Sequence, residues 1–109
     1  MERCQVTKTM DVIGGKWKSV ALFYMLREPR RFSELRRLMP GITQRMLTLQ
    51  LRELERDGLI TRTVFAEVPP RVQYALTEIG TTLGPILKLL CEWGGQYADT
   101  VLAHRERAA

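Results

Sequence analysis

The sequence predicts a mainly α-helical chain with one small β-hairpin. Three observations lead there. Apolar residues recur at helical spacing through most of the first half of the chain. Two strand-like runs, ITRTVF at 60–65 and RVQYAL at 71–76, follow one another closely. A long segment after Thr77 then carries an apolar stripe stepping by three and four. At 109 residues the chain suits one domain, expected over 1–109.

Val6, Met10 and Ile13 predict a short first helix, with Thr7 its expected N-cap and Gly14-Gly15 its stop. Trp17 to Leu26 is almost wholly apolar, as a helix buried on every side is. Glu28-Pro29 ends it, because a residue before proline avoids helical geometry. Phe32, Leu35, Leu38 and Met39 give a third helix over about 32–39, broken by Pro40-Gly41.

The fourth helix has both ends written into the sequence, from about Thr43 to Asp57. Thr43 is the N-cap, and Ile42 and Leu47 stand where a hydrophobic staple packs. Leu47, Leu51 and Leu54 line one face. Gly58 suits a left-handed C′ position, with Leu59 folding back on Leu54 as in a Schellman motif. In the hairpin, Val72, Tyr74 and Leu76 alternate with Arg71, Gln73 and Ala75, and Pro69-Pro70 stiffens the tip. Thr77 caps a C-terminal helix expected to about 103, which Gly94-Gly95 could divide, with fraying from about His104. Its stripe of Leu83, Leu87, Leu90, Gly94, Tyr97 and Val101 suits a helix–helix seam. It is long for one small domain to cover, so a second subunit is expected on it; packing on its own core is the plainer alternative.

Helices three and four joined by a short turn containing Gly41 form a helix-turn-helix, about 32–57. A hairpin directly after, about 59–76, makes it winged. In this motif the second helix lies in the major groove of DNA and its N-terminal residues reach base edges. With the three leucines inward, Arg45, Leu49, Arg52 and Arg56 point outward, flanked by Thr43, Gln44 and Thr48. Gln44 can read adenine, Arg45 guanine, and Thr48 or Leu49 a thymine methyl. Arg52 and Arg56, later in the helix, suit phosphate, as do Arg30, Arg31, Arg36 and Arg37 around the third helix and Arg62 and Arg71 of the wing. For any one of these residues a solvated surface is the plain reading. The whole face, with its cap, turn and arginines, points to DNA.

Charge agrees. Residues 1–76 hold 14 Lys/Arg and 8 Asp/Glu, a net of +6, while 77–109 hold 3 and 4, a net of −1. Arginine makes bidentate contacts with phosphate, so this basic part favours a polyanionic partner. The stretch GGKWKS at 14–19 is not a nucleotide loop. That motif needs a glycine several residues earlier and Ser/Thr directly after the lysine, whereas Met10 and Trp17 hold those places. The glycines are expected to form a corner that Trp17 anchors, leaving Lys16 and Lys18 beside DNA phosphate.

No apolar run is long enough for a transmembrane helix, and MERCQVTKTM lacks a signal-peptide core, so a cytoplasmic, membrane-free protein is expected. Cys4 and Cys91 are far apart, with no metal-ligand spacing, and neither disulfide nor metal is expected. Cys91 reads as a small packing residue in the C-terminal helix. The one histidine, His104, stands in the expected tail, so no catalytic set assembles and no enzyme or cofactor is expected. The competing class is a winged helix that binds protein or only dimerises. That version should carry apolar anchors or acids in place of Gln44, Arg45, Thr48 and Arg52.

The ordered motifs IGGKW, RRFSELRRLMPGITQRMLTLQLRELERDGLITR and VPPRVQYALTEIG, with a late Trp-Gly, resemble the HxlR-type (MarR-like) winged helix-turn-helix regulators of bacteria, from about Cys4 to Tyr97. The resemblance implies a homodimer on paired DNA half-sites, repressing or activating, modulated by a small molecule or by thiol oxidation, its effector unknown. It implies an interface of N- and C-terminal helices, here Val6, Met10, Leu83, Leu87, Leu90, Trp93, Tyr97 and Val101. Part of that family senses thiol-reactive compounds through an N-terminal cysteine, a position Cys4 matches, with Arg3 and Lys8 nearby to favour a thiolate. Members often have proline next, where Gln5 stands, so an inert terminal thiol is the alternative.

Overall fold

The computed structural model describes residues 3–108; the extreme ends of the expected 1–109 domain lie outside them. In chain order the elements are α1 (Gln5–Ile13), α2 (Lys18–Met25), β1 (Arg30–Arg31), α3 (Phe32–Leu38), α4 (Gln44–Arg56), β2 (Ile60–Phe65), β3 (Arg71–Leu76), α5 (Glu78–Thr81), α6 (Gly84–Trp93), a π-helical turn (Gly94–Ala98) and α7 (Asp99–Ala108). The three strands form one antiparallel sheet in the order β1-β3-β2. Opposite Ile60 lies Leu76, and Phe65 pairs with Arg71 at the far end of the hairpin.

The core gathers Ala21, Leu22 and Met25 of α2, Leu35 of α3, Leu47, Leu51 and Leu54 of α4, Tyr74 of β3 and Leu87 of α6. Ile42 and Leu47, the expected staple, are both buried. Trp17 is half-buried against this core, as a corner anchor should be. No helix is long and apolar enough among the described residues to cross a membrane.

Several expectations need correction. Thr7 lies inside α1, whose N-cap is Cys4; the Cys4 side chain makes no capping bond. Strand β1 was not anticipated, because two residues are too few to show a period, and its pairing with Tyr74 and Gln73 exists only once β3 is in place. The C-terminal helix is not continuous from Thr77. Thr77 caps the short α5 by accepting a hydrogen bond from the Gly80 amide at 3.1 Å. The chain then starts α6 at Gly84-Pro85. Proline has no amide hydrogen and its ring crowds the carbonyl four residues back, so a helix begins here rather than passing through. Gly94-Gly95 do not separate two helices; they open a π-helical turn through which the rod continues. The segment after His104 is helical to Ala108 rather than frayed.

Candidate nucleic-acid interface

The ends of α4 are set by local chemistry. Thr43 has extended backbone, and its hydroxyl oxygen accepts from the Met46 amide at 3.0 Å. This satisfies one amide that the first helical turn leaves without a carbonyl. At the other end Gly58 takes φ +76°. The Gly58 amide donates to Glu55 and the Leu59 amide to Leu54, both at 3.0 Å. Those two bonds are the Schellman pair, and they need a left-handed residue that glycine provides without a Cβ clash. Gly41, at φ +89°, makes the turn between α3 and α4 for the same reason.

With Leu47, Leu51 and Leu54 buried, Gln44, Arg45, Leu49 and Arg52 are exposed and Thr48 is half-exposed on the opposite side. Together with Thr43 and Met46 they line one open concavity. The Thr48 hydroxyl donates to the Gln44 carbonyl at 2.8 Å. Its proton is thus committed, leaving an acceptor lone pair and the methyl for a ligand. Leu49 is 47% exposed, so it is not rotated into the core. Met46, absent from the sequence-based set, is exposed beside it; its place one residue before Leu47 is the signal that could have found it. A second concavity lies between α4 and the sheet, where Arg52 faces Arg62 with Glu55, Phe32 and Tyr74. The fold therefore brings a wing arginine, Arg62, to the flank of α4.

The other cations divide. Arg31, Arg36 and Arg37 are exposed on or beside α3, and Lys16 is exposed, its ammonium 4.7 Å from the Trp17 ring centroid. Arg56 is exposed at the end of α4 and bonded to Asp57, whose hydrogen bond and charge raise its pKa further. Three cations expected at phosphate are held inside the protein. Lys18 pairs with Glu53 of α4 at 2.9 Å, with side chains only 14% and 26% exposed. Arg30 donates from Nε to the Tyr24 carbonyl at 2.9 Å and pairs with Glu28 at 3.1 Å. Arg71 lies over Phe65, 4.2 Å from the ring centroid, and pairs with Glu67 at 3.5 Å. Its Nε is buried with no hydrogen-bond partner. Each is better placed to join two elements than to meet a phosphate. Residue type does not separate these three from the free arginines: Lys18 meets a partner 35 positions away, Arg71 depends on the folded hairpin, and Arg30, whose partners are two and six positions back, depends on the turn after α2.

The expected interface residues divide too. Val6 and Met10 on α1, and Leu90, Trp93, Tyr97 and Val101 along the C-terminal rod, are exposed. The Trp93 and Tyr97 rings stand 5.7 Å apart. Leu87, by contrast, is buried in the protomer's own core, and Leu83 packs against it. The free apolar face instead includes Ile86, Leu89 and Leu102, which sequence reasoning missed; placing Leu87 inward would have turned Ile86 and Leu89 outward, about 100° and 160° around the helix from it. Cys4 is exposed. Arg3, expected beside its thiolate, makes an ion pair with Asp11. Cys91 is also exposed rather than packed inside.

Comparison with known proteins agrees with this arrangement. The model of the HxlR-like helix-turn-helix matches residues 12–101. The uncharacterized HTH-type transcriptional regulator YdeP of Bacillus subtilis (strain 168) is 54% identical over 100 residues, 92% of this chain and 78% of the relative. The redox regulator HypR in its reduced form superposes with a TM-score of 0.85 at 52% identity, covering 92% of this chain and 99% of that one. Its oxidized form gives 0.82 at 56% identity, covering 85% and 96%. With the capped helix-turn-helix, the wing and these relatives in hand, the chain belongs to the HxlR-like helix-turn-helix family of DNA-binding transcriptional regulators.

Proposed function

We propose that the chain regulates transcription as a homodimer that binds paired half-sites of double-stranded DNA by sequence, under the control of a thiol. The observation that carries the DNA reading is the outer face of α4. Gln44, Arg45, Thr48 and Leu49 stand open on its N-terminal half, where a recognition helix meets base edges. Arg52 and Arg62 share a concavity with Gln44 and Thr48 on that face, and the exposed Arg31, Arg36 and Arg37 on or beside α3 are further phosphate contacts. Lys16, at the corner before α2, and Arg56, at the end of α4, are exposed cations that complete the set.

Homodimerisation is supported by the apolar face of Leu90, Trp93, Tyr97 and Val101, with Val6 and Met10 of α1 as its counterpart. Monomers rarely leave so large an apolar face to water. Two-fold symmetry would set the two recognition helices one DNA turn apart, about 34–36 Å. Thiol control is supported by the likeness to both forms of a redox regulator and by the exposed Cys4 at the start of α1.

Titration of duplex DNA at several salt concentrations tests the core of this reading. Affinity should fall steeply with salt through counterion release, with an excess for the operator over random duplex. Binding indifferent to salt, or absent, would favour a protein-interaction module instead. For the thiol, operator binding with and without diamide is compared in the wild type, Cys4→Ser and Cys91→Ser. A response lost only in Cys4→Ser fits; a response equal in all three removes Cys4 as the sensor.

A further inference from the structure

Leu47, Leu51 and Leu54 hold α4 against the core. Apolar burial is non-directional. It keeps the helix on the protein without fixing its slide or roll. One directed contact does fix them. The Lys18 ammonium donates to a carboxylate oxygen of Glu53 at 2.9 Å, and both side chains are partly buried. Among the described residues this is the only ion pair that joins two helices.

Neither charge is explained by its own helix. Lys18 is the first residue of α2, and Glu53 stands in the last turn of α4. A helix dipole disfavours a cation at its start and an anion at its end. Net stability does not explain the pair either. Desolvation offsets much of the attraction in such a pair, and the best-attested use of one is to select a single arrangement.

The lysine end is itself anchored. The Ser19 hydroxyl donates to the Ile13 carbonyl at 2.9 Å, which ties the start of α2 to the end of α1. The Gly14 amide donates to the Met10 carbonyl at 2.7 Å, and a Cβ on Gly14 would collide with that same oxygen. The corner is therefore closed down to backbone contact. Helix α1 carries the exposed Val6 and Met10 of the proposed dimer seam. A short run of direct contacts thus leads from the seam, through the corner, to α4.

We propose that Lys18 and Glu53 are positioning residues that fix α4 relative to the dimer seam and so set the half-site spacing the protein accepts, an inference that rests on the reading of a homodimer on paired half-sites. Without the pair, the outer face of α4 keeps its DNA contacts, but the two recognition helices adapt to more spacings.

The operator that the wild-type chain selects from random duplexes is compared with one carrying a single extra base pair between the half-sites. The insertion moves one half-site about 3.4 Å along the duplex and about 35° around it. Wild type should lose about tenfold or more in affinity, and Lys18→Met or Glu53→Gln about threefold or less. The charge-swapped double variant, Lys18→Glu with Glu53→Lys, should return to the wild-type loss. Each ratio is taken within one variant, so it does not depend on the fraction folded. A merely structural pair would lower the unfolding midpoint and leave the ratios alone. Equal ratios in wild type and the single variants, or a swap that restores nothing, would overturn the proposal. A second measurement needs no DNA. With Cys4 and Cys91 replaced by serine and a spin label at Arg45→Cys, double electron–electron resonance reads the distance between the two α4 helices of the free dimer. Its distribution should be broader with Lys18→Met than with Lys18 in place, and equal widths would also overturn the proposal. A wild-type chain that binds no duplex would remove the DNA reading, while the spin-label distances would still judge the pair.

Discussion

Two helical regions of this protein leave a wide face uncovered, and the faces are opposite in kind. On α4 the inner side is sealed by Leu47, Leu51 and Leu54, none more than 2% exposed, and the outer side is polar and cationic. On α6 and the rod beyond it, burial stops at Leu87, and Leu89, Leu90, Trp93, Tyr97 and Val101 follow uncovered. The difference teaches what each face is built to meet. Water solvates the first well, so its order serves a polyanion that offers more than water does. The second is costly to leave in water, so it calls for another apolar surface.

The contrast can be broken at several points. The largest effect is expected at the base of α4. Leu51→Ala should cost about 2–5 kcal/mol of folding stability, because a buried leucine is replaced by a cavity. Denaturant unfolding at fixed protein concentration measures it; a loss well below that range would mean α4 is held mainly by its caps. On the rod, Trp93→Ala should weaken self-association by about 2 kcal/mol or more, as central aromatic residues of interfaces do. Analytical ultracentrifugation reads this directly. An unchanged dimer, or a chain that is monomeric throughout, would remove Trp93 from the seam.

Smaller effects sharpen the polar face. Arg45→Ala should lower the preference for operator over random duplex by about 1–3 kcal/mol, with general affinity less affected. If binding to every sequence fell equally, Arg45 would be a phosphate contact. Thr43→Ala should lower stability by about 1 kcal/mol through loss of the cap, read as a shifted unfolding midpoint. Last, Arg52→Gln should reduce the slope of log affinity against log salt by about one, while Lys18→Gln should leave that slope unchanged. Equal slopes for the two variants would contradict the division between free and internally paired cations.

Much of α4 was legible because its signals are local. Thr43 lies three residues from the amide it caps, and Gly58 and Leu59 lie within five of the carbonyls they satisfy. Its inner face follows from helical spacing alone. The candidate interface was legible by type and face, but not residue by residue. Lys18 and Glu53 are 35 positions apart, and nothing near either names the other. Arg71 needs the folded hairpin to set it over Phe65, and Arg30 needs the chain to turn back after α2 before its Nε reaches the Tyr24 carbonyl. Sequence could count arginines but not say which were already occupied.

The sequence by itself determined the helices before the wing, the hairpin, the helix-turn-helix and both ends of α4. Those depend on chemistry within a turn or two of the chain: caps, glycine at positive φ, and apolar periodicity. Only tertiary structure decided the rest. It turned Leu83 and Leu87 inward and left Ile86 and Leu89 outside. It set β1 against β3 and drew Lys18, Arg30 and Arg71 into the protein. Burial, and pairings such as Lys18 with Glu53, join groups distant in sequence, and the nearer pairs still need a turn of the chain to bring them together, so no helical or strand period records them.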